Sequence, residues 1–233
     1  MTDHAAVYVE TKDRITDLLA DAGPGGAATT VPACPDWTAK DLAAHLAGLT
    51  GDWLAGKVNG YGSDDWTEAQ VEARREVGLD AILDEWDANT SGILPHLDDP
   101  GAHGAPDFMP VIVITDLVSH EHDLRHALGR PGARDSGAVA TAVQSLIGGL
   151  RLHLASTDLP PLRVEATGLR DWMVGRGEPA ATLRAEPFTL LRALSGRRTM
   201  DEVRALDWEG DPEPFLPHLM QEPFSWRETP LDE

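Results

Sequence analysis

The sequence predicts an α+β protein: an antiparallel helical bundle followed by a small α/β domain. Three observations predict it. Before residue 157, long stretches carry apolar residues at helical spacing. After TDLPP (157–161), LRVEATG, DWMVGRG and ATLRAEP alternate apolar and polar residues, the period of strands. The 233 residues are 42% hydrophobic and 25% charged, enough for two modest cores. A boundary near 157 gives domains of 1–157 and 158–233.

The elements follow in order. Over 5–21, Tyr8, Ile15, Leu18 and Leu19 share a helical face, and AGPGG ends the element. Thr38 is an N-cap with Asp41 three residues on, a variant capping box, so a helix starts there and runs to about Lys57. Residues 58–67 are rich in Gly and Asp and read as a loop. Leu79, Ile82, Leu83, Trp86, Ile93 and Leu94 form the next stripe, ending near Pro95. A loop, LDDPGAHGAP, precedes a helix over 107–128, for which Gly129 is the C-terminal cap. Another helix covers 136–155. Beyond the three strands, FTLLRALSG and MDEVRALDW read as short helices, and the tail is rich in Pro and acidic residues.

The formal net charge is −20. A field of that sign repels phosphate backbones and anionic lipid, which argues against nucleic-acid and membrane partners. An anionic substrate needs a local arginine or a metal. The longest strongly apolar run, near VIVI at 111–114, is too short for a bilayer. Cys34 is the only cysteine, and MTDHAAVYVETKDR has no signal-peptide pattern, so a reducing cytoplasm is expected. Cys34 shows no His partner in the sequence and reads as a small structural residue. Trp37, Trp53, Trp86 and Trp172 read as core. No P-loop, GxGxxG or GxSxG motif occurs.

Two segments carry chemistry. In ACPDWTAKDLAAHLAGL (33–49), His45 lies on the same face as Leu42, Leu46 and Leu49. In DLVSHEHDLRHALG (116–129), Asp116 and His120 are four apart and Asp123 is three further on, again on one face. A carboxylate and an imidazole at that spacing chelate a divalent ion, and a histidine from a facing helix completes a three-ligand site with an open position. His45, Asp116 and His120 are that set, with Asp123 to orient an imidazole or meet a ligand. The bland reading is a solvated charged helix and a satisfied core histidine; His122 and His126 form a second i,i+4 pair on another face. Arg197 and Arg198 present a bidentate carboxylate site or a solvated turn.

VPACPDWTAKDLAAHLAG resembles the N-terminal signature of the mycothiol-dependent maleylpyruvate isomerase family, within the DinB-like metalloenzyme superfamily. DLVSHEHDLRHALGRPG resembles its second signature, and the likeness spans nearly the whole chain. The resemblance implies a DinB-like bundle binding zinc or another divalent metal, and a C-terminal part similar to sterol-carrier folds. It implies His45 and His120 as ligands, with Asp116 where the family has Glu, one methylene longer. It implies Arg197 for substrate binding and mycothiol as the thiol. The implied reaction adds the thiolate to the activated double bond of maleylpyruvate; the bond rotates and the thiolate leaves, giving fumarylpyruvate. S-conjugation by the same thiolate makes a transferase instead. The expected partners are thus a small electrophile and a low-molecular-weight thiol, and the wide helical faces permit a homodimer. The alternative is a non-catalytic ligand-binding or interaction protein that kept the fold; a metal-responsive regulator has little support.

Overall fold

Helix α1 spans His4–Ala27, capped by the Asp3 carboxylate on the Ala6 N–H. The expected stop at AGPGG is a kink: Gly23 takes φ 61° and ψ −168°, and helical structure resumes through Pro24. Only glycine adopts that backbone without a clash, and proline suits the start of the second piece. A two-stranded hairpin follows, β1 (Thr30–Val31) antiparallel to β2 (Cys34–Thr38), which the periodicity does not announce.

Helix α2 (Ala39–Leu54) starts at Thr38 with the full capping box: Thr38 Oγ1 accepts from Asp41 N, and the Asp41 carboxylate accepts from Thr38 N. Helix α3 (Asp64–Glu72) lies partly where a loop was expected. Ser63 caps it, and Asp64 and Asp65 in the first turn complement the helix dipole. Helix α4 (Leu79–Asp98) continues one turn past its expected end, with Pro95 inside that turn. Helix α5 (Met109–Ala127) ends in a left-handed cap, Gly129 at φ 63°, with Gly129 N donating to His126 O (3.1 Å) and Arg130 N to Arg125 O (2.8 Å). Those bonds satisfy the last carbonyls, as the sequence position of Gly129 predicts.

Helices α6 (Gly137–Leu154), α7 (Pro187–Leu194), α8 (Met200–Arg204) and α9 (Leu216–Leu219) accompany a four-stranded sheet ordered β4–β3–β5–β6. Its strands are β3 (Leu162–Ala166), β4 (Asp171–Val174), β5 (Ala181–Ala185) and β6 (Asp207–Gly210). Strand β3 is parallel to β5, and β4 and β6 are antiparallel to their neighbours. Leu162, Val164, Ala166, Trp172, Val174, Ala181 and Leu183 are buried, so the sequence alternation is the pleat of a one-faced sheet. The expected helix over 200–208 stops at Arg204, because Asp207–Gly210 pairs with Ala181–Arg184. Ladder hydrogen bonds made across distant sequence outweigh the local helical pattern there.

The computed structural model describes residues 3–104 and 106–233. Two units separate by their internal contacts, Met1–Gly132 and Ala133–Glu233. The first holds α1, α2, α4 and α5 as a four-helix bundle, with α3 packed on α2. Helix α6 goes with the second unit, where it packs on α7, β4 and α9. The division therefore falls one helix before the expected boundary at 157. Helical periodicity alone does not tell which partner an apolar stripe will choose.

Within the bundle, a directed hydrogen-bond chain ties three helices. Trp86 Nε1 donates to Tyr8 Oη (2.7 Å), Tyr8 Oη lies 2.9 Å from Thr50 Oγ1, and Thr50 Oγ1 donates to Leu46 O. Tyr8, Trp86 and Thr50 are all buried. Burial pushes the Tyr8 phenol up to about 12, against the opposing hydrogen bonds from Thr50 and Trp86.

Candidate metal centre

Helix α2 buries Leu42, Leu46 and Leu49, and the same face carries His45, which is 2% exposed. Helix α5 presents Asp116 and His120 one turn apart. The two helices pack against each other, and one donor atom from each of His45, Asp116 and His120 lies within 4.8 Å of the others. His45 Nε2 is 3.3 Å from Asp116 Oδ2, and His120 Nε2 is 3.4 Å from Asp116 Oδ1. The shorter Asp side chain thus reaches both imidazoles.

Those separations test the fit of a metal. Zinc–nitrogen and zinc–oxygen bonds of about 2.0–2.1 Å in a tetrahedron place neighbouring donors roughly 3.3–3.4 Å apart. Each imidazole lies about one such edge from an Asp116 oxygen, His45 from Oδ2 and His120 from Oδ1. Two imidazoles and a carboxylate are a borderline donor set suited to zinc.

The electrostatics are those of a coupled cluster. Burial pushes the Asp116 carboxyl up, but the His120 and His45 rings outweigh it and hold it far below the usual carboxylate range. Burial works to lower the His120 imidazole, while Asp116, Asp123 and Cys34 together raise it well above its ordinary value. Asp123, fully buried, has Oδ2 3.0 Å from His120 Nδ1. It turns the ring so that Nε2 faces Asp116.

Glu121, the neighbouring carboxylate, points away, as helical geometry predicts. Its oxygens take Arg14 Nη2 at 2.7 Å and Arg125 Nη2 at 2.9 Å. Arg197 belongs to the second unit, where it is nearly buried and its Nη1 donates to Ser195 O at 2.5 Å. Arg198 pairs with Glu233 and, at 3.9 Å, with Glu202.

Five residues at the centre were not read as part of it. Cys34 hydrogen-bonds His120 and forms a donor group with His120 and Asp123, so it does have a histidine partner. Trp37 is half-buried rather than core; its ring centroid lies 5.2 Å from that of His45 and 6.3 Å from that of His120. Trp53, Trp86 and Trp172 are buried as expected. Tyr61 packs against Trp53 and Trp66, and burial, with the Asp116 charge second, raises its phenol strongly. Gln70 Oε1 sits 2.8 Å from His45 Nδ1, and Gln70 Nε2 donates to Asp52 Oδ2 at 2.9 Å. Asp52 was legible in principle, two turns after His45; Gln70 was not, because its helix was unread.

The mycothiol maleylpyruvate isomerase N-terminal domain model matches residues 9–125. That span contains every residue of the centre. The chain is similar to the crystal structure of a mycothiol-dependent maleylpyruvate isomerase bearing a histidine-to-alanine mutation. The TM-score is 0.55 at 10% identity, covering 83% of this chain and 88% of that one. At such identity the likeness is one of fold. No curated protein matches the chain. By its matched domain and the motifs within it, the chain belongs to the mycothiol maleylpyruvate isomerase family.

Proposed function

We propose that this chain is a metal- and thiol-dependent enzyme of the maleylpyruvate isomerase type, holding zinc at His45, Asp116 and His120 and using mycothiol. The observation that carries the reading is the convergence of three donors from two helices, one atom of each within 4.8 Å of the others. A zinc ion there favours the thiolate form of a thiol at neutral pH.

The chain's own groups do the rest. His45 and His120 offer Nε2, and Asp116 offers the balancing charge. Three protein donors leave a further position for a ligand. Asp123 holds the His120 ring through Nδ1. Trp37 shields one flank of both imidazoles. Tyr61, whose phenol stays protonated beside Asp116, offers a hydrogen-bond donor near the centre.

The activity is cis–trans isomerisation of an activated double bond, or thiol S-transfer to a small electrophile. The two differ in whether the thiol leaves again. Arg197 is proposed to bind a substrate carboxylate, so Arg197→Ala is expected to raise KM while leaving metal content unchanged. A cytoplasmic location fits the lone cysteine.

The test is elemental analysis of the native protein and His45→Ala, purified alike, followed by turnover assays with mycothiol and either maleylpyruvate or a simple alkylating electrophile. About one zinc per native chain, none in the variant, and turnover that needs both metal and thiol are expected. Absence of zinc from the native protein even after titration would overturn the reading. Tight zinc without turnover would favour a binding protein instead.

A further inference from the structure

His45, Gly48 and Asp52 recur at i, i+3 and i+7 on α2, so they share the face that packs on α3. Gln70 of α3, 3% exposed, lies between the two polar ones. Gly48 makes this approach possible. A Cβ there would meet Gln70 Cβ at 2.6 Å, Arg74 Nη1 at 2.8 Å and Gln70 Cγ at 2.9 Å. Any side chain at position 48 would push α3 and its glutamine outward.

The donor order then follows from what each group is able to do. A carboxylate only accepts, so the Gln70 end that faces Asp52 is its NH2. The other end, a carbonyl, also only accepts, so His45 Nδ1 must carry the proton. With a metal at Nε2 the ring keeps its one proton on Nδ1, toward Gln70; without one, Asp116 Oδ2, 3.3 Å from Nε2, is itself an acceptor for a proton there. The reverse order would set the Gln70 carbonyl against the Asp52 carboxylate with no proton between them. Leaving such buried groups without a hydrogen bond is costly, and more so where a charge is involved.

We propose that Asp52, acting through Gln70, is a positioning relay that holds the His45 ring at Nδ1 and presents Nε2 to the metal centre. Its consequence for zinc rests on the proposed function above.

The measurement is zinc affinity by chelator competition in the native protein and its variants, with circular dichroism as a check on folding. Metal sites typically lose about 10- to 100-fold in affinity when such a supporting partner is removed, and Gln70→Met should do so. Gly48→Ala should weaken zinc in the same direction, although every polar group remains.

Gln70→Glu sets two carboxylates face to face and should also weaken zinc. Adding Asp52→Asn to it restores the order, with an amide donating to a carboxylate that accepts from Nδ1–H, and should recover native affinity. Failure of that rescue in a folded protein, or native affinity in Gln70→Glu alone, contradicts the relay. No zinc uptake by the native protein would end the metal reading and the relay with it, whereas a native protein that binds zinc beside folded variants that bind it equally well contradicts the relay alone.

Discussion

At the scale of single residues, the proposed metal centre depends on charge and reach. His45 and His120 each present Nε2 to one oxygen of Asp116. Replacing either histidine with Ala is therefore expected to abolish stoichiometric zinc, read by elemental analysis. Asp116→Asn keeps the shape and removes the charge that balances the ion, whereas Asp116→Glu keeps the charge and lengthens the arm. We expect zinc affinity in competition titrations to fall much further for Asn than for Glu; the reverse order would show that reach, not charge, limits this site. These three residues were legible because i,i+4 spacing and an imidazole on an apolar stripe are local signals. Gln70, Cys34 and Trp37 were not, since each joins the centre only through packing between elements.

Elements were most legible where their ends carry their own chemistry. The Thr38–Asp41 box and the Gly129 cap lie where the sequence places them, since both are made by residues within one turn of the helix end. Gly129→Ala puts a Cβ into the left-handed region and should cost about 1–2 kcal/mol, read as a lower urea midpoint. The Trp86–Tyr8–Thr50 chain makes a sharper forecast. Tyr8→Phe keeps the ring and strands the buried Trp86 N–H, an expected loss of about 1–3 kcal/mol. A near-neutral result would mean that Trp86 finds another acceptor. Strand β6 and helix α3 were missed for opposite reasons: one competes with a helical pattern and wins by pairing, and the other begins inside a Gly- and Asp-rich stretch.

Across the whole molecule, the net charge of −20 makes the handling of cations informative. In the first unit, Arg14 and Arg125 converge on the buried Glu121. In the second, Arg192 Nε lies 2.9 Å from Glu233 Oε1, and Arg198 meets the same oxygen. The Glu233 side chain is 3% exposed and that of Arg192 fully buried. Burial pushes the Glu233 carboxyl up, but Arg192 and then Arg198 overcome it and hold it below the ordinary glutamate range. A depressed folded value means that the pair stabilises fully above the unfolded glutamate pKa and is lost as pH falls through the folded one. Glu233→Ala should thus cost about 3 kcal/mol near neutrality, as for a broken buried pair. The gap between native and variant urea midpoints should narrow on acidification. A gap independent of pH would refute the ionic account. Among the described residues, no helix is long and apolar enough to cross a membrane.

The sequence by itself determined the α+β order, the helix ends that carry caps, the alternation of the sheet, and the spacing that sets Asp116 and His120 one turn apart on α5 and His45 on the apolar face of α2. Each of these is a periodic or short-range pattern, set by the geometry of one turn or one pleat. The tertiary structure alone decided that α6 joins the second unit, that 207–210 becomes a strand, and that the bare backbone at Gly48 lets Gln70 reach His45. These depend on which surfaces meet. Contact between groups far apart along the chain leaves no period in the sequence from which it could be read.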